Sequence, residues 1–362
     1  MLSNKEIKRV DKDLHTYHEN IHTQPISKEK VFNRSDLLTC GWLPLCPSSK
    51  LKKNTVRSFS VFNQRVAVFR KTDGSLSALD AFCPHMGTDL GNGKVINNQL
   101  QCYLHQWKFD EEGHCSKLKN KKLQKYPVEE KYGYIWIFPD STAPFTVPSP
   151  PGLENQEVEG IHLFKTKLFV HHHILMAGGI DLQHFKSVHN LDINFQYDVS
   201  VSDNNQNFIW GLKGNLPQNS ILQKIAHYIT GGIFKYQALF SGGSITSLTY
   251  GNDLYFRNKG FKLPTTSILW AATPHHNGVS DVDIFLVLKK EKGLIGFVKK
   301  QLKILFALIL QIALKDDDVK AFPHMRYNVT NPSEGDRSVL DLINRINSVH
   351  LSPWGENFKE KI

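Results

Sequence analysis

Two short loops constrain this chain more than any other feature. One reads Cys83-Pro84-His85; the other, after a gap of 16 residues, reads Cys102-Tyr103-Leu104-His105. Two Cys and two His delivered in this way make a four-ligand metal site by spacing alone. Any fold must bring both loops to one point. Zinc accepts Cys₂His₂, but its ligands usually come as a Cys pair and a His pair. Here each loop supplies one Cys and one His. That arrangement suits a [2Fe–2S] cluster with both Cys on one iron and both His on the other. Neutral imidazoles in place of thiolates raise the potential of such a cluster.

The rest of the chain frames these loops. At 362 residues it has room for about two domains. Its 40% hydrophobic and 22% charged content is that of a globular protein, and five Cys are too few for a disulfide scaffold. Residues 40–140 hold short β-like runs, such as Val56–Phe62, Arg65–Arg70 and Tyr134–Phe138, with tight-turn dipeptides at Asp73-Gly74 and Asn92-Gly93. Residues 141–152 lie in a Pro-rich stretch that reads as a stiff extended linker. Residues 153–362 mix strand-like runs (161–174, 207–213, 234–256, 266–287) with helical patches at 178–190 and 293–325. The expected fold class is α+β, an all-β domain followed by a domain with an antiparallel sheet flanked by helices. Residues 1–39 read as a polar arm without the apolar core of a secretory signal.

With Gly87, Gly91, Gly93 and Trp107 around the four ligands, the first cluster resembles the Rieske family. One departure is Gln106, where that family usually has Gly after the second ligand His. About 80 residues on, Asp181, His184 and His189 form a D-x-x-H-x₄-H pattern. Two His and a carboxylate suit a non-heme Fe(II) site. In a regular helix, five residues at 100° each put His184 and His189 about 140° apart around the axis. They can share a metal only if the helix is distorted or ends between them.

Together the two motifs resemble the oxygenase component of Rieske non-heme iron oxygenases, from Trp42 to about Tyr327, nearest the single-subunit, steroid-type branch. The resemblance implies that His184 and His189 bind a mononuclear Fe(II) and that Asp181 bridges to His105 of a neighbouring subunit, in a homotrimer. It implies a third iron ligand within Asp316-Asp317-Asp318, with Asp318 favoured because Ala321, Phe322 and Tyr327 then fit the family pattern; Pro323 is unexpected there. It also implies O₂ as oxidant and electrons from NAD(P)H through a separate flavin reductase or ferredoxin, because the chain has no flavin or nucleotide fingerprint of its own.

The implied activity is oxidation of a hydrophobic organic substrate (hydroxylation, demethylation or desaturation), with Trp210, Tyr236, Phe240, Trp270 and Phe285 as pocket or sheet core. The alternative is an electron carrier with an accessory binding domain. The net charge of +10 suits an acidic redox partner, and no nucleic-acid motif is present. Residues 293–315 read as a buried helix, or as a membrane-surface helix carrying Lys299, Lys300 and Lys303. Unpaired thiols and a labile cluster suit the cytoplasm, with membrane-peripheral attachment through that helix as the variant reading. His171-His172-His173, read as a strand with alternating faces and no partner carboxylate, ranks low as a metal site.

Overall fold

The computed structural model describes residues 31–356 except 119, 190, 194–195, 202–205, 252–253, 261, 276–277, 295, 306, 309–324 and 326–331. The N-terminal part is all β. A four-stranded antiparallel sheet runs β2 (Thr55–Val61), β3 (Gln64–Arg70), β4 (Leu76–Asp80), β8 (Lys125–Tyr126). A second runs β1 (Leu43–Pro47), β10 (Tyr134–Ile137), β9 (Val128–Lys131). A third runs β5 (Lys94–Ile96), β6 (Gln99–Gln101), β7 (Lys108–Phe109); the Cys102–His105 loop joins β6 to β7, and the Cys83–His85 loop lies between β4 and β5. Asp73-Gly74 turns β3 into β4, with Gly74 at φ 98°. Asn92-Gly93 does not make a hairpin: it ends a 3₁₀ turn, Leu90–Asn92. The β5–β6 hairpin turns instead at Asn97-Asn98, both left-handed, which asparagine tolerates better than most residues.

The second part is built on one seven-stranded antiparallel sheet in the order β11 (Val158–Leu168), β17 (Ser280–Lys289), β16 (Thr266–Pro274), β15 (Ile245–Tyr250), β14 (Ile233–Ser241), β13 (Asn207–Asn215), β12 (Gln196–Val201). Partners directly opposite one another share a face, and Phe208↔Phe240, Trp210↔Ala238 and Leu212↔Tyr236 stack one set of side chains across β13 and β14. Those residues pack under α1 (His172–Gly178) and α5 (Arg337–Ile346), through Met176, Ala177, Val339, Leu342 and Ile346. On the opposite face, Ile245, Leu269, Ala271, Phe285 and Val287 pack against Trp42, Tyr134, Trp136 and Phe138 of the N-terminal part. Burial on both faces explains the nearly continuous apolar runs of β16 and β17. The α+β expectation holds.

Several segments differ from expectation. The run 161–174 is not one strand: β11 stops at Leu168, and His172 begins α1. The helical patch 178–190 is α1 followed by α2 (Leu182–Ser187), broken at Gly179–Asp181. A helix at Ile221–Thr230 (α3) was not anticipated. Residues 296–305 form a helix (α4), and among the described residues no helix is long and apolar enough to cross a membrane. The Pro-rich stretch is strapped down: Trp42 Nε1 donates to the Phe145 carbonyl (2.8 Å), Lys131 Nζ to the Val147 carbonyl (2.6 Å) and Tyr132 Oη to the Pro148 carbonyl (2.9 Å). The chain end returns to the N-terminal part. There Trp354, in α6 (Pro353–Glu356), meets Tyr126 edge-on at 5.0 Å.

Candidate metal centres

The two ligand loops follow one design. In the first, Cys83 N–H donates to the Thr88 carbonyl (2.9 Å) and the Cys83 carbonyl accepts from Gly87 N–H (2.9 Å). In the second, Cys102 N–H donates to the Trp107 carbonyl (2.8 Å) and the Cys102 carbonyl accepts from Gln106 N–H (3.1 Å). The fifth residue of each loop is left-handed, Gly87 at φ 71° and Gln106 at φ 58°. Gln106 therefore stands where a glycine would be unstrained. The first loop is anchored by Asp89, whose carboxylate accepts from Gly91 N–H (2.8 Å) and from Arg65 Nε (2.6 Å).

This geometry brings all four predicted ligands of the first site together. Cys83 and Cys102 are buried in the core of the loop domain with Leu90, Leu100 and Phe109. His85 and His105 are exposed, and their Nδ1 atoms converge to 3.0 Å. Trp107 stacks on the His85 ring at 4.3 Å and 12°, fixing its plane. Burial pushes the Cys83 thiol up, and the Cys102 thiol beside it adds to that shift. A cation bound there would reverse the effect, since a coordinating thiol deprotonates. Two inward thiols and two outward imidazoles with convergent Nδ1 atoms fit a cluster ligated by sulfur on one side and nitrogen on the other. Cys115, also buried, lies in the same core. Phe82, Met86, Tyr103 and Leu104 are exposed around the histidine edge.

Residues 41–127 match the Rieske [2Fe-2S] domain family. The chain carries a Rieske domain. Cholesterol 7-desaturase of Bombyx mori is 28% identical over 160 residues, 41% of this chain and 35% of the relative. The oxygenase subunit of 3-chlorobenzoate-3,4-dioxygenase from Comamonas testosteroni is 29% identical over 165 residues, 41% of this chain and 37% of the relative. The matched part thus spans about a third of each of these curated relatives. Beyond the Rieske domain the fold continues to match: dicamba monooxygenase, in a crystal structure bound to dicamba, superposes with a TM-score of 0.60 over 84% of this chain and 95% of that one, at 18% identity. The chain shares its fold with dicamba monooxygenase.

The second site lies beyond the Rieske domain, on α2. Asp181 caps this helix: its Oδ1 accepts from Gln183 N–H and His184 N–H, both at 3.1 Å. The helix stops at Ser187, so His184 and His189 straddle its end. The Leu191 N–H donates back to the Phe185 carbonyl (2.8 Å), folding the chain over. As a result the two rings meet at 4.6 Å, edge to face. The condition that the helix end between the two histidines is met. His184 is buried and His189 half-buried. Asp316, Asp317 and Asp318 lie outside the described residues.

Three residues that position α2 were not visible in the sequence. Tyr236 Oη donates to the Gly179 carbonyl (2.8 Å), and Ser338 Oγ donates to the Ile180 carbonyl (2.7 Å). Both carbonyls belong to the break before α2, where no helical partner exists. Gln183 Nε2 donates to Ser333 Oγ (2.7 Å) and Asp336 Oδ1 (3.0 Å), tying α2 to the C-terminal segment. Of the expected pocket aromatics, Trp210, Tyr236 and Phe240 are core on the α2 side of the sheet, whereas Phe285 is core on the other side.

Proposed function

We propose that this chain is the terminal oxygenase of a Rieske-type system, oxidising a hydrophobic organic substrate with O₂. The observation that carries the reading is the second histidine pair. His184 and His189 sit on opposite sides of a helix end, yet their rings meet at 4.6 Å, much as His85 and His105 meet at 4.5 Å. A Rieske electron carrier needs only the first pair.

The [2Fe–2S] group supplies one-electron transfer, and a mononuclear iron at His184 and His189 supplies O₂ activation. Buried Cys83 and Cys102 and exposed His85 and His105 would hold the cluster. Asp318 is the third iron ligand on this reading. Asp181 fixes the start of α2, and we assign its second carboxylate oxygen to His105 of a neighbouring subunit in a homotrimer. Two features support an intersubunit arrangement. The histidine edge is exposed and ringed by Phe82, Met86, Tyr103 and Leu104. Within one chain, the N-terminal part and the helices around α2 pack on opposite faces of the seven-stranded sheet. A separate reductase or ferredoxin feeds the cluster, and the three cysteines left over, Cys40, Cys46 and Cys115, form no disulfide, which suits a reducing compartment.

The test is iron against acid-labile sulfide in anaerobically purified protein. A ratio of about 3 Fe to 2 S is expected. A ratio of about 2 to 2 that persists after Fe(II) reconstitution would make the chain an electron carrier instead.

A further inference from the structure

His171, His172 and His173 turn the chain from β11 into α1, with His171 as the N-terminal cap. All three are buried, His172 and His173 to 1% exposure. Their ring centroids lie 4.2 to 4.5 Å apart in every pairing. One ring nitrogen from each residue lies within 4.8 Å of the other two. The spacing is that of the two centres already described, at 4.5 and 4.6 Å. No established site uses this trio.

Their hydrogen bonds show what the trio lacks. His171 Nε2 donates to the Arg34 carbonyl (3.2 Å), and its Nδ1 accepts from His173 N–H (3.2 Å). His173 Nδ1 accepts from Asn33 N–H (3.2 Å). These bonds hold the 32–34 segment onto α1. His172 takes no part in them: both of its ring nitrogens are buried without a hydrogen-bond partner, as is His173 Nε2. A buried polar atom without a partner is costly, so a trio serving only as a structural anchor would do better with an apolar residue at 172. Burial also drives the basicity of all three rings down, His171 to about 4. In neutral rings His172 keeps a free lone pair, whereas the Nδ1 lone pairs of His171 and His173 take backbone N–H bonds that a metal ion would have to displace. A hydroxyl stands close by: a Cβ placed on Gly243 would lie 2.4 Å from Thr39 Oγ1 and 3.3 Å from His173 Nε2.

We propose that His171, His172 and His173 form a third metal site, separate from the cluster and the mononuclear iron, and that it takes zinc(II). Imidazole is a good ligand for this borderline ion. The three ligands are consecutive residues at the start of α1, so the ion would fix the turn from β11 into α1, and three imidazoles leave a fourth tetrahedral position for a water. Closing the three nitrogens onto one ion requires the rings to swing and the long 3.2 Å backbone bonds to yield in part. The proposal does not depend on the oxygenase reading, because it concerns different residues and a different metal.

The test uses full-length protein loaded with iron, incubated with zinc and desalted. Zinc is then measured by elemental analysis and its ligands by Zn K-edge X-ray absorption, which iron does not disturb. About one zinc per chain is expected, with a nitrogen shell near 2.0 Å and outer scattering from three imidazoles. His172→Phe should lose the zinc and keep iron and sulfide. A His184→Ala/His189→Ala variant should keep the zinc. The proposal is overturned if no zinc survives desalting, if His172→Phe retains it, or if the double variant loses it. A shell containing sulfur near 2.3 Å would overturn it even if His172→Phe fails to fold.

Discussion

Asp181 does two jobs that one substitution cannot separate. Its Oδ1 caps α2 through Gln183 and His184, and its negative charge is what a bridge to a neighbouring His105 would need. Asp181→Asn keeps an acceptor oxygen and removes the charge; Asn and Asp cap helices about equally well. Asp181→Ala removes both and should cost about 1 kcal/mol of stability. We expect Asp181→Asn to retain native stability and iron while turnover falls at least roughly tenfold, the order seen when the partner of a metal-ligating histidine is lost. Near-native turnover in the Asn variant would reduce Asp181 to a helix cap. Gln106 offers a second residue-scale test. Relief of a left-handed non-glycine residue is worth roughly 1–2 kcal/mol, offset by about 0.5–1 kcal/mol of extra chain entropy. Gln106→Gly should therefore stabilise the protein by roughly 0.5–1 kcal/mol in denaturant unfolding, with the cluster spectrum unchanged. The four candidate ligands stood out in the sequence because they lie in two local turns, and the structure brings their side chains together. The strain at Gln106 was visible only as a departure from the expected glycine. The φ of 58° and the match to Gly87 gave that departure a physical meaning.

At the scale of elements, α2 is too short to stand alone. Six residues form less than two helical turns, so tertiary contacts must hold it. The break that frees it leaves the Gly179 and Ile180 carbonyls without helical partners, and Tyr236 and Ser338 supply them. Tyr236→Phe keeps the ring in the core and removes the bond to the half-buried Gly179 carbonyl, at a cost of about 1 kcal/mol. We expect lower stability in denaturant unfolding and faster loss of iron from the second site under chelation. The first site, on other strands, should keep its iron and sulfide. Equal loss from both sites would mean that the bond supports the whole fold and not α2 in particular. The histidine spacing stated a condition, that the helix end between 184 and 189, and the structure meets it. The residues that enforce it lie 57 and 158 positions away from the carbonyls they satisfy, beyond the reach of local pattern reading. The same limit misread His171–His173: a strand-like run continuing from β11 was taken through them, and only the turn into α1 gathers the three rings.

Among the described residues, the Rieske part lies on one face of the seven-stranded sheet and α1, α5 and the residues around α2 on the other. The apolar periodicity announced the sheet but not its two-sided burial, nor the return of Trp354 to the N-terminal core. This layering bears on how the two centres communicate. Within one chain the sheet and its two cores stand between the layers, while the histidine edge of the cluster faces outward. A ring of subunits would let each exposed edge meet the α2 side of its neighbour, as heterologous contacts do when the rotation closes. Mixed assemblies test this directly. His105→Ala disables the cluster side and His184→Ala the iron side, so each variant alone should be inactive. Unfolded or dissociated subunits of the two variants, mixed in equal amounts and reassembled, should regain activity if the centres work across subunits. With random assembly, one interface in about four joins an intact cluster to an intact iron site, so recovery should approach roughly a quarter of the wild-type rate. If each chain works alone, no mixture can recover activity, because every chain carries one dead centre.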